Sequence, residues 1–331
     1  MTERREIVEG SEAWHGIRLD HVGGSEVAGL FGVQAGWGQS RMTLHLVKSR
    51  KIPAPPVDDS PGTRIWAGKR LEPVIATMCA EMFGWTIEKG YYHTDDECPG
   101  MACSLDYVIT EPGPREIARG FSGPGVLQLK NSDYIQHKDQ WAGSEPPFHI
   151  ILQLQHEMAC AGLGWGVIGV LKGGNEVLAY HYPASARIAA AIRAKVSEFW
   201  DEVRGGRLPN TDGTDSTADT LRALYPTVPN ETPLDFTGDK EFMDACVQFR
   251  VTSANKSASE KAYVTAKNFL ESKLQGKTWA IGDGFSVKVS AAQDKPDRLA
   301  EAGETIRGRK GGRTIHVREV TAHVGQPAGL G

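Results

Sequence analysis

The order of hydrophobic periods along the chain is the feature that most restricts its fold. A helical period precedes three short strand patterns, and a second helix, two more strands and a long amphipathic helix follow. These segments are helix 71–83, strands 86–92, 101–109 and 126–130, helix 148–161, strands 166–171 and 177–182, and helix 186–203. Strands interleaved with helices in this way predict an α/β (α+β) fold with a central mixed β-sheet flanked by helices.

The length of 331 residues is enough for about two domains. A stretch around 205–237 is rich in Gly, Pro, Thr and Asp and shows little hydrophobic period. We therefore predict a first domain over 1–205, a linker over 206–239 and a C-terminal extension over 240–331. Two helical patterns and two strand patterns in the last segment predict a helical and β-hairpin extension.

Charge and cysteine content exclude several classes of protein. The chain has 37 Lys and Arg against 41 Asp and Glu, so a net charge of −4 excludes binding of polyanions by bulk charge, and any DNA binding needs a local patch. Five cysteines without a C-x-x-C motif argue against a disulfide framework or a zinc ribbon. The chain has no long apolar run, and its N-terminus is charged, so we expect a cytoplasmic protein that does not enter membranes.

Acidic and basic side chains in the strand region form a pattern suited to a divalent cation. Asp106 lies in strand pattern 101–109, and Gln128 and Lys130 lie two residues apart in the next one. The alternation of a strand places Gln128 and Lys130 on one face and Leu129 on the other. A carboxylate, a second oxygen ligand and a lysine suit Mg²⁺-dependent phosphodiester hydrolysis. The pattern alone is weak, since Asp and Lys at strand edges are usually solvated surface residues.

Five sequence blocks, taken in order, add specificity. They are W-H-G-I-R-L followed closely by G-S-E-V, then G-K-R-L-E, M-A-C-S-L-D-Y, L-Q-L-K and I-L-Q-L-Q-H-E-M. With these blocks, 10–205 resembles the phage lambda exonuclease and YqaJ-like viral recombinase family of the PD-(D/E)xK and RecB-like nucleases. The resemblance implies a restriction-endonuclease-like core. It also implies a Mg²⁺-dependent 5′→3′ exonuclease on double-stranded DNA ends that leaves 3′ single strands for phage-type homologous recombination.

The resemblance also implies roles for individual residues. Asp106 is expected to be the central metal ligand and Lys130 the catalytic lysine. Glu72 completes the acidic cluster directly or through water, and the Leu129 carbonyl is a further ligand. Gln153, with Gln155 as the second choice, corresponds to the glutamine that braces the active site in this family.

Arg18 and Ser25 resemble the pocket for the 5′-phosphate of the digested strand. Ser25 is expected to cap a short helix over 26–31, and a helix N-terminus beside a guanidinium group is a good phosphate site. The alternative is that Ser25 is only a helix cap and Arg18 a surface residue. Trp14 and His15 are possible supporting residues.

Gln128 departs from the family pattern, which usually has glutamate there. An amide oxygen can bind Mg²⁺, but Glu72 and Asp106 then supply only two formal negative charges, so the metal should bind more weakly. Three explanations stay open: a natural Q-x-K variant, a substitution made to trap DNA, or a degenerate nuclease kept as a DNA-end-binding or assembly module. An endonuclease on the same core is a further alternative.

Partners and cofactors follow from the same resemblance. Mg²⁺ is the expected cofactor, with Mn²⁺ as a substitute. Family members commonly form rings around DNA, so we expect a homo-oligomer, with a trimer favoured, because several subunits multiply a modest basic patch. Candidate DNA contacts are Lys48, Arg50, Lys51 and the basic loop 307–313. A single-strand annealing recombinase is the expected protein partner.

Overall fold

The computed structural model describes residues 4–5, 11–35, 38–134, 141, 145–229, 232–254, 260–291, 298–299, 305–306 and 313–319. It divides into two compact units, Met1–Pro209 and Asn210–Gly331. Among the helices of the described residues, none has the length and apolar character needed to span a membrane.

The first unit is built around a five-stranded mixed sheet. In chain order its elements are β1 (Arg4–Arg5), α1 (Glu12–Arg18), α2 (Val27–Leu30), α3 (Arg41–Lys48), α4 (Arg64–Phe83), β2 (Thr86–Lys89), β3 (Tyr92–Thr94), β4 (Ala102–Ser104), β5 (Tyr107–Glu111), α5 (Pro114–Ala118), β6 (Gly125–Ser132), α6 (Phe148–Ala161), β7 (Trp165–Lys172), β8 (Glu176–Pro183) and α7 (Ala186–Arg204). The sheet has the order β2, β5, β6, β7, β8. Only β6 and β7 run parallel, so the predicted mixed sheet flanked by helices is confirmed.

Local chemistry sets the ends of the helices around this sheet. The hydroxyl groups of Ser11, Thr63 and Ser185 accept hydrogen bonds from backbone N–H groups in the first turns of α1, α4 and α7. Gly84 and Gly162 end α4 and α6 in the left-handed conformation, which favours glycine. The predicted bounds of helix 148–161 are confirmed.

The two faces of the sheet pack against different helices. Leu127 and Leu129 of β6 lie in one hydrophobic cluster with Ile75 of α4. Val126, the residue before Leu127, lies in the other cluster with Leu154 of α6. This alternation confirms the expected period of two, and it turns Gln128 and Lys130 toward α6. Replacing the fully buried Ile75 by alanine should cost about 2–5 kcal/mol.

Several predicted elements differ from the structure. The strand expected over 101–109 is two strands, β4 and β5, separated at Leu105 and Asp106. Helix α4 begins earlier than expected, and Pro73 lies inside it rather than in its first turn. Helix α3 was not predicted. Ser25 does not cap a helix, because α2 begins at Val27 and its N-cap residue is Glu26.

The second unit pairs two helices with a small sheet. Its elements are α8 (Asp215–Leu224), β9 (Leu234–Asp235), α9 (Lys240–Ala254), α10 (Glu260–Leu274), β10 (Trp279–Gly282), β11 (Phe285–Ala291), β12 (Arg298–Leu299), β13 (Thr305–Ile306) and β14 (Arg313–Glu319). The hairpin of β10 and β11 lies between β9 and β14, and α9 packs against α10. Helix α8 falls within the predicted linker. Its Asp, Ser and Thr residues have low helix propensity, so its sequence resembles a loop.

Candidate active site

A cavity of about 480 Å³ opens in the first unit at the end of the pairing between β5 and β6. It collects most of the residues singled out from the sequence. These are Trp14, Arg18, Ser25, Glu72, Asp106, Gln128, Leu129, Lys130 and Gln153. Two further predicted residues, His15 and Gln155, are not among the residues that line it.

Asp106 lies where the chain passes from one sheet to another. β4 belongs to a small sheet with β3 and β1, whereas β5 belongs to the central sheet. Pairing between β5 and β6 stops at Tyr107 and Leu127, so the N–H of Leu129 is free to donate to Asp106 Oδ2 at 2.8 Å. The Leu129 carbonyl points to the same side of the strand as its N–H, toward Asp106.

The charge state of Asp106 depends on its surroundings. Burial raises the pKa of Asp106 to about 6, although the neighbouring Lys130 ammonium acts in the opposite direction. The charge of Glu72 contributes to the upward shift. A cation in the cavity would favour the ionised carboxylate.

Gln153 of α6 connects the side chains that β6 presents. Lys130 Nζ donates to Gln153 Oε1 at 3.2 Å. Gln153 Nε2 donates to Gln128 Oε1 at 3.1 Å, and Gln128 Nε2 donates in turn to Asp106 Oδ2 at 2.7 Å. Gln153 therefore links Lys130 to Gln128, and through Gln128 to Asp106.

Glu157 lies beside this network, and sequence reasoning missed it. It follows Gln153 by one helical turn, and its Oε1 accepts a hydrogen bond from Gln153 Nε2 at 2.9 Å. The residue is 1% exposed and lines the same cavity. Burial, with the charge of Asp106, raises the pKa of Glu157 well above its usual range. The i, i+4 spacing in Q-L-Q-H-E was the signal that could have found it.

Glu72 reaches the cavity from α4, as predicted, but it is already paired. Its carboxylate accepts a hydrogen bond from Lys89 of β2. Among the described residues, no three His, Cys, Asp or Glu side chains lie close enough to form a ready-made metal site.

The donors that are present still fit a hard divalent cation. Mg²⁺ in proteins commonly takes one or two carboxylates and keeps several waters. Asp106 supplies one carboxylate, and the Leu129 carbonyl lies on the same side of β6 as the N–H that donates to Asp106. Glu157 Oε2 is a buried oxygen without a hydrogen-bond partner among the described residues. Mg²⁺ or Mn²⁺ therefore fits this oxygen-rich set better than zinc.

Arg18 lines the same cavity. Its guanidinium lies 4.5 Å from the ring centroid of Trp14, whose Nε1 donates to Ser104 Oγ at 3.2 Å. Trp14 thus supports Arg18, as the sequence suggested. Arg18 Nη2 lies 3.5 Å from Ser25 Oγ, so the two predicted phosphate-pocket residues are together. Helix α2 has only four residues, so the expected helix N-terminus is not part of the pocket.

Glu26 balances the charge of Arg18. It accepts hydrogen bonds from Arg18 Nη2 at 3.1 Å and from the buried Lys48 Nζ at 2.8 Å. Burial opposes its ionisation, but Lys48 and Arg18 together lower the pKa of Glu26 to about 2. Lys48 is only 2% exposed and also donates to the Arg18 carbonyl oxygen. The prediction that Lys48 contacts DNA from the surface is therefore wrong.

The remaining predicted residues lie elsewhere. His15 packs edge-on against Trp14 and borders a separate shallow cavity with Arg50 and Lys51. Gln155 braces the turn between β8 and α7 by binding the Pro183 carbonyl and the Ser185 N–H. Residues 307–312 of the basic loop lie outside the described residues.

The fold and the cavity define an α/β protein in which Asp106, Lys130 and Gln153 meet beside the buried Glu157. Residues 13–164 match the profile of the YqaJ-like viral recombinase domain. The family resemblance inferred from the five blocks is thus confirmed.

The chain is also similar to one curated protein and to two solved structures. The chain is 24% identical over 230 residues to the uncharacterized protein YqaJ of Bacillus subtilis (strain 168), covering 68% of this chain and 67% of that protein. A crystal structure of LHK-Exo in complex with dAMP is 20% identical, with a TM-score of 0.48, over 60% of this chain and 94% of the other. A second structure of LHK-Exo, an alkaline exonuclease from Laribacter hongkongensis, gives 19% identity and a TM-score of 0.47 over the same shares.

Proposed function

We propose that this protein is a Mg²⁺-dependent 5′→3′ exonuclease that acts on double-stranded DNA ends and leaves 3′ single strands for homologous recombination. The observation that carries the proposal is the shared cavity of Asp106, Lys130 and Arg18. A cation-binding carboxylate, a lysine and an arginine fit the needs of phosphodiester hydrolysis at a phosphorylated end. The YqaJ-like domain supports a nuclease role.

Each residue of the cavity would have a separate role in hydrolysis. When bound, Mg²⁺ or Mn²⁺ would polarise the phosphate and lower the pKa of water, and Asp106 and the Leu129 carbonyl would hold it. Lys130 would position the attacking water and offset charge on the phosphate. Gln153, which binds Lys130 and Gln128, would keep both side chains in place.

The polarity of digestion would come from Arg18. Its side chain is 29% exposed and lies in the same cavity as the carboxylates. A terminal 5′-phosphate would accept hydrogen bonds from Arg18 and Ser25, and the first phosphodiester bond would then lie toward Asp106. A 3′-terminal hydroxyl carries no such anion.

End-labelled DNA tests this proposal directly. A linear duplex with 5′-phosphates, incubated with Mg²⁺, should release labelled mononucleotides from the 5′ end and leave single-stranded 3′ tails. A covalently closed circle of the same sequence should stay intact. Cutting of the circle would indicate an endonuclease, and absence of release with both Mg²⁺ and Mn²⁺ would contradict a nuclease.

Gln128 favours one second candidate, a DNA-end-binding module without catalysis. Its amide supplies no charge to the site. Tight binding of duplex ends that does not change with metal and leads to no turnover would support this candidate over the nuclease.

Assembly and partners are further proposals. A homo-oligomeric ring, with a trimer favoured, would surround the duplex and multiply its basic contacts. Light scattering that shows a monomer at working concentration would contradict it. The 3′ strand produced would pass to a single-strand annealing recombinase.

A further inference from the structure

Helix α6 places a second buried carboxylate next to the strand residues expected to bind the cation. We propose that Glu157 is the second anionic ligand of the divalent cation in this cavity, and that Gln128 holds Asp106 in place instead of binding the cation. This inference rests on the proposed function. In this arrangement Glu157 of α6 supplies the negative charge that a glutamate at position 128 of β6 would otherwise supply.

One carboxylate oxygen of Glu157 is hydrogen-bonded, and the other is buried without a partner among the described residues. Its Oε1 is held by Gln153, whose Nε2 also donates to Gln128 Oε1, so the two positions share one hydrogen-bond donor. Its Oε2 is buried and has no hydrogen-bond partner among the described residues. Both Glu157 and Asp106 line the cavity. An uncompensated buried carboxylate is costly, and a bound cation would remove that cost.

Both the nitrogen and the oxygen of the Gln128 amide form hydrogen bonds. Nε2 donates to Asp106 at 2.7 Å, and Oε1 accepts from Gln153 at 3.1 Å. Nε2 is a donor and cannot bind a cation, and Oε1 already uses one of its two lone pairs on Gln153. A glutamate at this position would instead place two anionic oxygens against each other. An amide at 128 is therefore complementary to carboxylates at 106 and 157.

Gly24 restricts where Glu157 can go. A Cβ at position 24 would lie 3.0 Å from Glu157 Oε1 and 3.3 Å from Gln153 Cγ. The loop that carries Ser25 thus packs directly on the two α6 side chains. A side chain larger than hydrogen at position 24 would therefore press on the Glu157 carboxylate.

Metal binding tests the inference without measuring activity. Mn²⁺ is titrated by calorimetry into the metal-free full-length protein and into Glu157→Gln, which keeps the Gln153 contact possible but removes the charge. We expect the dissociation constant to rise at least tenfold in Glu157→Gln. The swapped variant Q128E/E157Q, which returns a carboxylate to the strand, should regain most of the affinity. Glu88→Gln, at an exposed strand position, is the matched control and should bind like the parent.

The outcomes separate this inference from the proposed function. Unchanged Mn²⁺ affinity in Glu157→Gln, together with lost affinity in Asp106→Asn, would overturn the role of Glu157 and leave the nuclease proposal intact. Unchanged affinity in Asp106→Asn, or no Mn²⁺ binding by the parent protein, would overturn both. Thermal unfolding identifies misfolded variants. If Glu157→Gln does not fold, Glu157→Asp decides: its shortened carboxylate should weaken Mn²⁺ binding, and an unchanged affinity would overturn the inference.

Discussion

The carboxylate of Asp106 accepts a hydrogen bond of 2.7 Å from the side-chain amide of Gln128. The two residues lie on different segments that meet where β5 separates from β6. The amide is a donor, which a glutamate at this position could not be without protonation. The residue that looked like a lost ligand in the sequence is thus a partner of the central carboxylate.

Asp106→Asn should abolish DNA cleavage. The substitution keeps the size of the side chain but removes the charge that would hold the cation. Binding of a 5′-phosphorylated duplex, measured by fluorescence anisotropy, should stay within about threefold of the parent, because Arg18 is untouched. Asp201→Asn, at an exposed ion pair on α7, is the control. Full activity in Asp106→Asn would contradict the site assignment.

Lys130→Met should also abolish cleavage, but without weakening the binding of the cation. The ammonium that would offset charge on the phosphate is lost, while the aliphatic part of the side chain remains. We expect at least a 10²-fold fall in the single-turnover rate and an unchanged Mn²⁺ affinity. Lys195→Met, on exposed Lys195 of α7, should retain the parent rate. A fall in metal affinity equal to that of Asp106→Asn would contradict separate roles for the two residues.

Gln128→Glu should destabilise the metal-free protein. It replaces the donor of the Asp106 hydrogen bond by an anion, and leaving that carboxylate without its partner should cost about 1–3 kcal/mol. Thermal unfolding should show a lower Tm for the variant without metal and a smaller difference with Mn²⁺, which offsets the added charge. Cleavage far above that of the parent at saturating metal would instead indicate a degenerate site.

Arg18→Ala should slow the digestion of 5′-phosphorylated ends much more than that of 5′-hydroxyl ends. A charge-assisted contact is worth about 1.5–3 kcal/mol, which corresponds to roughly tenfold or more. Initial rates on the two substrates give the ratio. Arg50→Ala removes an exposed arginine paired with Asp20, and it should leave the ratio unchanged. Equal losses on both ends in Arg18→Ala would mean that Arg18 serves the fold.

Glu26 should make folding stability depend on pH in the acid range. Its pKa of about 2 in the folded state lies below the ordinary value of 4.5, so its stabilisation is present above about pH 4.5 and is lost as the pH falls toward 2. A difference of this size is worth on the order of 3 kcal/mol. Burial also lowers the pKa of its partner Lys48 in spite of the pairing, so the net contribution of the pair is smaller.

Denaturant unfolding at several pH values checks this expectation. The parent should be more stable than Glu26→Gln at pH 7, because the variant leaves Lys48 buried without its anion. The difference should shrink steadily below about pH 4.5. A difference that stays constant down to pH 2.5 would show that Glu26 does not titrate with folding.

Much of the site could be inferred from the chain because its residues follow local periods. The alternation of β6 places Gln128 and Lys130 on one face, and the structure has both bonded to Gln153. The five blocks led to the YqaJ-like domain and to the grouping of Arg18 with Ser25. The bounds of helix 148–161 were predicted from its helical period, and the structure has the same bounds.

Other features depend on contacts between distant segments. The strand 101–109 breaks because its two halves pair in different sheets, which no local period reveals. Lys48 looked like a surface charge, but the fold buries it against Glu26 and the Arg18 carbonyl. Helix α8 was taken for a linker, since its residues favour turns when no neighbour is known.

The sequence by itself therefore determined the mixed α/β fold, the family and the face on which the strand residues lie, because these follow from periodicity and from short blocks read in order. Only the tertiary structure showed that Glu157 belongs to the cavity. Glu157 lies on α6, far along the chain from Asp106, and its burial beside Gln153 comes from packing of the helix on the sheet. The interaction between two charged or polar side chains depends on the distance between them in the folded protein, and the order of residues alone does not give that distance.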